Sequence, residues 1–509
     1  MASAGCIPER PADQPTILFA SGADLQSANP LITVHPLAKQ VQKHVLFVPL
    51  ASYDSGYRPV PRLASWTWSE DRTLLTFDVR RDVRWHDGVL TTADDVVWTL
   101  TTAQDPAVAY PRARDLASVE RIERVDSFRV RLHFRGRQPV FPDVLTDLPI
   151  LPAHVLGDAR PAQLRLHPFN TSPVGNGPFA FREYRPNQRW VFERVREFPA
   201  ALGRPVLQRL VIVVVDEATT KLAALTSGEL DFAGISPAHA EFVREDSRLR
   251  VVDYPVQFAV ALAWNLRRPP LDDARLRRAL TMAVDRQTLV DAYLFGFGTV
   301  ADGPVSPAHP WHVASNPITY DPEEAARQLD ALGWVRGPDG VRARNGERLA
   351  FDLLMVSGDN AMEQMIQAQL ARVGVAIRIR QLELASFLSL VQSSERDFDV
   401  LVTGVPGDWS LGHVAAMYGG TAPGPLAYPG YHSDAFDSTL VATRSATTRT
   451  ALEEAWRHAQ RILLEDHPTT WLYHARGVQG INRRVGNVSL DLRGELATVA
   501  LWVIGRGSN

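Results

Sequence analysis

Apolar and polar positions alternate along residues 128–134, where Phe128, Val130, Leu132 and Phe134 fall on one side of an extended chain, and predict a half-buried strand. Continuous apolar runs at 210–215 and 258–264 are strand-sized; 17–20 reads as a first strand and 210–215 as a buried one. Residues 71–84, with apolar Leu74, Phe77 and Val79 after the polar Ser69-Glu70-Asp71, read as paired strands. Gly175-Asn176-Gly177-Pro178 predicts a turn, followed by a hairpin over 179–184 and 190–194. Helical spacing takes over elsewhere. Thr92 caps a helix that carries Asp94 and Asp95 in its first turn and buries Val96, Val97 and Leu100. Residues 218–226 form an amphipathic helix ending near Gly228, and 321–332 another, stopped by Gly333. The longest helix candidate is 272–294, with Leu276, Leu280, Ala283, Leu289 and Tyr293 at helical spacing. A final long helix spans 450–465. Strands at 349–356 and 375–381 flank a helix at 360–373, and this order implies an α/β domain. Two such portions bracket an insertion, with strands recurring near both ends. That predicts two lobes joined by more than one crossing, an arrangement suited to closing around a ligand.

Length and composition narrow the classes. With 509 residues, 45% hydrophobic and 22% charged, the chain is a globular protein of two or three domains. Its basic residues are almost all arginine; the lysines are Lys39, Lys43 and Lys221. Arginine suits phosphate, but acids balance it to a net charge of −3 and no basic block stands out, which argues against nucleic-acid binding. No apolar run is long enough to span a membrane. Cys6 is the single cysteine, so intramolecular disulfides and multi-cysteine metal sites are excluded. Ala4-Gly5-Cys6, followed by a stretch containing proline and aspartate, resembles the end of a lipoprotein signal, in which the cysteine becomes the lipidated first residue.

Catalytic motifs are absent from the sequence: there is no nucleophile elbow, phosphate loop or H-E-x-x-H helix. Trp85-His86-Asp87-Gly88 is the nearest approach to an acid/base cluster, and Asp-Gly at its corner reads as a hairpin turn. His309 and His312 flank Pro310 in a proline-rich loop, so a helical metal face is not expected there. No catalytic residue, metal or cofactor is expected, and the chain is read as a non-enzyme.

Several stretches carry a family resemblance. The run from Phe77 through Trp85-His86-Asp87-Gly88 to Asp94-Asp95-Val96 resembles the signature of family 5 extracellular solute-binding proteins. Leu63-Ala64-Ser65-Trp66, Gly175-Asn176-Gly177-Pro178-Phe179 and the stretch from Asn265 through Pro269-Pro270 to Leu280 follow in family order. So do Asp285-Arg286, Tyr320-Asp321-Pro322 and Leu332-Gly333-Trp334. The resemblance implies a two-lobed periplasmic-binding-protein fold of the large, three-domain cluster C type, α/β in class, with a discontinuous first domain. The expected division is a tether at 1–14, a first-lobe core at 15–50, 170–255 and 480–509, an inserted subdomain at 51–169, and a second lobe at 256–479. It implies a monomeric extracytoplasmic receptor of an ABC importer, working at the periplasmic or outer face of the membrane and lipid-anchored through Cys6. Its solute is a peptide or related amine-bearing compound, delivered to a membrane permease. Receptors of nickel chelates, opines or oligosaccharides are the alternative within the family; a hydrolase or sensor on this scaffold is the alternative outside it.

In peptide-binding relatives an aspartate in a loop after a strand of the last lobe holds the ligand's α-ammonium. Residues 398–402 look like that strand, and Asp408 is the matching residue, with Trp409 beside it as a pocket wall. The same residues also suit a loop built on an Asx turn. Trp264 and Asn265 either line the cleft or pack the hinge, Asn29 is a further pocket candidate in the first loop, and His413 would serve a metal-chelate ligand. Dipeptide-binding relatives place an arginine after the strand matching 349–356, where this chain has Ser357-Gly358-Asp359-Asn360. A longer peptide, or a different amine, is the expected solute.

Overall fold

The computed structural model describes residues 15–33, 35–393, 395–406, 410–420 and 426–505. The expected tether at 1–14, including Cys6, lies outside the described residues. The chain divides into two compact units, Met1–Tyr254 with Val478–Asn509, and Pro255–Gly477. It passes from one unit to the other inside two long strands, Leu249–Trp264 and Thr469–Asn482.

The first unit is built around the strand Thr16–Ser21, every residue of which is buried. A strand buried on both faces has no polar side to show, and its apolar run follows from that. It lies parallel to Arg209–Val214, from Thr16 opposite Arg209 to Ser21 opposite Val214, and to Phe232–Gly234. Arg189–Arg194 and Phe179–Arg185 continue the sheet antiparallel, as the hairpin expected from the turn before them. On the other side, residues 479–481 return antiparallel to Phe232–Gly234. A separate antiparallel sheet runs Ala64–Trp68, Leu74–Val79, Arg129–Phe134, Val119–Asp126. Leu75, Phe77 and Val79 alternate inward on its second strand, and Val130, Leu132 and Phe134 on its third. The paired strands expected over 71–84 reduce to Leu74–Val79, with Arg84 making only an isolated bridge to Leu90.

The second unit holds Ala376–Leu382, Ala350–Val356 and Val400–Pro406 parallel to one another, with residues 258–264 antiparallel at the side of the last. The helices Ala361–Arg372 and Arg449–Asp466 form where periodicity places them. The segment expected as one long helix at 272–294 is broken into Ala274–Met282, the turn Arg286–Thr288 and a π-helical turn Leu289–Tyr293. Asp285 is the cause. Its carboxylate accepts from the Thr288 amide at 3.0 Å and the Thr288 hydroxyl at 2.6 Å, so it caps a new start instead of continuing the old helix.

The family motifs turn out to be packing devices. The His86 ring clamps the Gly175–Gly177 turn: Nδ1 accepts from the Gly175 amide at 3.2 Å, and Nε2 lies 3.0 Å from the Gly177 carbonyl oxygen. Burial lowers its pKa to about 4. A Cβ at Gly177 would sit 2.5 Å from the Leu46 carbonyl carbon, so only glycine lets the two backbones approach. Asp95, expected as a dipole-complementing acid, also accepts from Thr92, Ala153 and the Trp85 indole at 2.8, 2.8 and 3.2 Å. Arg277 is buried and donates to the carbonyls of Asp466 and His467 at 2.7 and 2.8 Å, closing the end of the Arg449–Asp466 helix.

The two chain segments of the first unit are riveted at Asp231. Its fully buried carboxylate accepts from the Leu18 amide at 3.0 Å and from Arg484 Nε and Nη2 at 2.6 and 2.8 Å. Arg484 also donates to the Thr16 carbonyl at 3.1 Å. Replacing Asp231 by Asn leaves an arginine facing an amide in the core. Breaking such pairs costs about 3–5 kcal/mol, and the partial exposure of Arg484 places this one at the lower end. Urea unfolding of Asp231→Asn is expected to show a lower midpoint. Asp54→Asn, which breaks a solvated pair with Arg58, is expected to leave the midpoint in place.

Candidate functional site

In α/β sheets ligands collect outside the carboxyl ends of the parallel strands. Each unit has one such edge, and chemistry is concentrated there in both.

In the first unit the edge is formed where Thr16–Ser21 ends and the chain enters the loop 22–35. Asp24 fixes the start of that loop. It accepts from the Trp190 indole at 3.0 Å, the Tyr184 hydroxyl at 3.0 Å and the Gln26 and Asn187 amides at 2.9 and 2.6 Å. Burial alone would raise its carboxyl, but these four donors outweigh it and hold the pKa below the ordinary value. The loop then faces residues 165–171, and the space between them is a groove of about 590 Å³. Asn29 joins the two walls: its Nδ2 donates to Asn170 Oδ1 at 3.2 Å, and its Oδ1 accepts from the Leu31 amide at 3.0 Å. Asn170 in turn donates to the carbonyls of Leu164 and Arg165 at 2.9 and 3.0 Å.

Two histidines of this groove, His35 and His167, each precede a proline and cap a short turn. His35 Nδ1 accepts from the Ala38 amide at 3.2 Å, and His167 Nδ1 from the Phe169 amide at 3.1 Å. A backbone N–H can only donate, so the neutral ring carries its proton on Nε2 in both cases. Burial lowers the His35 pKa, against a smaller opposing pull from Asp24. Sequence reasoning missed this wall. The His-Pro dipeptide is its only signal, and it is not a selective one: His309-Pro310 makes the same turn, accepting from Trp311 at 3.0 Å, in the other unit.

In the second unit, Ala350–Val356, Ala376–Leu382 and Val400–Pro406 run in one direction and end at one edge. Ser357-Gly358-Asp359-Asn360 follows the first, Glu383 the second, and residues 407–409 the third. Asp408 and Trp409, the principal expected site residues, lie outside the described residues. Beside the end of the third strand, Phe258 pairs in register with Pro406 and is 41% exposed. Its ring rests on Gly404, where an added Cβ would fall 1.8 Å from the ring, so glycine is what makes room for it. Phe258 is an exposed aromatic surface at this edge among the described residues, and a fully apolar strand pattern gave no sign that one ring faced outward.

The other expected residues sit inside their own units. Trp264 is 1% exposed and its indole donates to Thr470 Oγ1 at 3.0 Å. Asn265 is 1% exposed and its Nδ2 donates to the carbonyls of Arg396 and Phe398 at 3.1 and 2.8 Å. Asn29 is 0% exposed. Trp264 and Asn265, expected either to line the cleft or to pack the hinge, and Asn29, expected as a pocket candidate, have their polar atoms committed to partners inside the fold. His413 is half-buried in the first turn of the helix Gly412–Tyr418.

Comparison with known proteins agrees with this architecture. The chain is 25% identical to the oligopeptide-binding protein AppA of Bacillus subtilis over 448 residues, covering 85% of this chain and 81% of that protein. It is 27% identical over 504 residues to a probable di/tripeptide-binding protein 5 of Pseudomonas aeruginosa, covering 90% of each. Its fold superposes on the crystal structure of NikZ from Campylobacter jejuni in complex with Ni(L-His), with a TM-score of 0.81 and 23% identity, over 96% of this chain and 99% of that one. Residues 58–422 match the description "Bacterial extracellular solute-binding proteins, family 5 Middle", and the chain belongs to that family of solute-binding proteins.

Proposed function

We propose that this solute-binding protein is the peptide receptor of an ABC importer, that it captures oligopeptides by their α-ammonium through Asp408, and that it passes them to a membrane permease without chemical conversion. The observation that carries the assignment is the common carboxyl edge of three parallel strands in the second unit, with Asp408 two residues beyond the end of one. A carboxylate at such an edge, removed from bulk water, anchors a cation by charge-assisted hydrogen bonds. The outward ring of Phe258 supplies apolar and π surface at the same edge, and Trp409 is the next residue in sequence after Asp408. The relatives named as oligopeptide- and di/tripeptide-binding proteins support a peptide as the solute. The absence of arginine from Ser357-Gly358-Asp359-Asn360 favours peptides longer than two residues, whose far end needs no fixed partner there.

The receptor works outside the cytoplasm. Among the described residues no helix is long and apolar enough to cross a membrane. Ala4-Gly5-Cys6, which resembles the end of a lipoprotein signal, supports attachment through lipid on Cys6. A single acyl chain binds a membrane only marginally, and bacterial lipoproteins carry more than one. Full-length protein expressed in its host is expected to partition into detergent, and Cys6→Ala to release it; equal partitioning of both proteins contradicts lipidation.

The anchoring role of Asp408 is tested by pairing a protein change with a ligand change. Asp408→Asn keeps the side-chain shape and removes the charge, and breaking a buried pair costs about 3–5 kcal/mol. Calorimetry is expected to show affinity for a free-amine pentapeptide falling roughly a hundredfold or more. The N-acetylated peptide is expected to bind wild type weakly and to lose little further in the variant. Equal affinity of both proteins for the free-amine peptide makes Asp408 a turn residue.

A further inference from the structure

The groove of the first unit is walled by hydrogen-bond donors and contains no carboxylate among its lining residues. Arg165 stands on one wall, exposed to solvent, and among the described residues its hydrogen bond is to the Ala109 carbonyl at 3.4 Å, a long contact. No carboxylate lies within ion-pair distance of it among the described residues. His35 and His167 line the same space, and neither Nε2 has a hydrogen-bond partner among the described residues. Their Nδ1 atoms are held as acceptors by backbone amides, so what each ring has left to offer is an N–H. The acid nearest in effect, Asp24, has both oxygens occupied by donors of the fold.

We propose that this groove is a carboxylate-binding subsite, in which the Arg165 guanidinium supplies charge and the Nε2–H groups of His35 and His167 supply directed donors to an acidic group of the solute. The fixed tautomers set the chemistry. A metal ion takes the lone pair of Nε2, which would put the ring proton on Nδ1 and point it at the Ala38 or Phe169 amide that Nδ1 now receives. The groove therefore favours an anion over a metal ion bound directly by its histidines. Leu166, 86% exposed, and the half-buried Ile32 add apolar surface around the donors. The subsite rests on the receptor reading above and extends it to the part of the solute this groove takes: a carboxylate, from the C-terminus or from an Asp or Glu side chain of a peptide.

The test uses the full chain stripped of solute, with two probes. In the first, succinate and its uncharged diamide are titrated while the imidazole resonances of His35 and His167 are followed by NMR. His35→Asn and His167→Asn assign the signals, since asparagine keeps the cap and deletes the Nε2–H. Succinate is expected to shift both signals saturably and the diamide neither. Arg165→Gln, at an exposed position, is expected to weaken succinate about tenfold or more, the worth of a hydrogen bond to a charged group. In the second, wild type and Arg165→Gln are each offered a random pentapeptide mixture, as free acids and as C-terminal amides, and retained peptides are identified by mass spectrometry. Wild type is expected to favour a carboxylate and the variant to lose that preference. Preference lost on amidation identifies the C-terminus as its source, and enrichment of Asp and Glu in either mixture identifies side chains. Unshifted imidazoles, or equal succinate affinity in wild type and Arg165→Gln, overturn the subsite even where peptides are retained, and the receptor reading then stands without it. Saturable succinate shifts lost in Arg165→Gln, with no peptide retained by either protein, uphold the subsite and overturn the peptide reading instead.

Discussion

The carboxylate of Asp231 is the point on which the first unit depends. This unit is made from two stretches of chain with an entire second unit between them, and nothing covalent draws the returning segment back. Asp231 does so electrostatically. Its two oxygens take the amide of Leu18 on the first strand and the guanidinium of Arg484 on the last segment, while Arg484 reaches the carbonyl of Thr16. That pairing ties the start of the central strand to the returning segment. A charge so deep is stable only with its partner in place, so the segments are committed together.

The same economy of polar groups explains the family motifs. His86 holds the Gly175–Gly177 turn against the backbone of residues 45–47, Asp95 gathers three donors, and Arg277 closes the end of a helix. In the sequence His86 looked like the nearest place for chemistry and Asp95 like a simple helix-dipole acid. Each is a buried polar group satisfying backbone that the sheets leave unpaired. This is why the motifs report ancestry and fold well and report the ligand poorly.

Legibility follows the same division. Strands such as 209–214, helices such as Arg449–Asp466 and the turn at Gly175 were readable because local periodicity and local sterics decide them. The break at Asp285 was not, because apolar spacing continues through it and only the cap on Thr288 reveals the new start. At the site, position along the chain was a poor guide to which atoms face out. Asn29, Trp264 and Asn265 lie beside the expected surfaces but spend their polar atoms inward. His35, Arg165, His167 and Phe258 face the open side, and that depends on which capping bond each ring makes and on a glycine beneath a ring. Neither is a property of spacing.

The central claim is that the chain is a receptor that holds a peptide and does nothing else to it. Native mass spectrometry of protein freshly purified from its host, before any denaturing step, tests this most directly. The account predicts a population heavier than the bare chain, whose excess mass is released on unfolding and sequences as peptides of more than two residues, unchanged after incubation with the protein. A chain that emerges bare and takes up no peptide when a mixture is supplied, or one that returns the peptides cleaved, contradicts it.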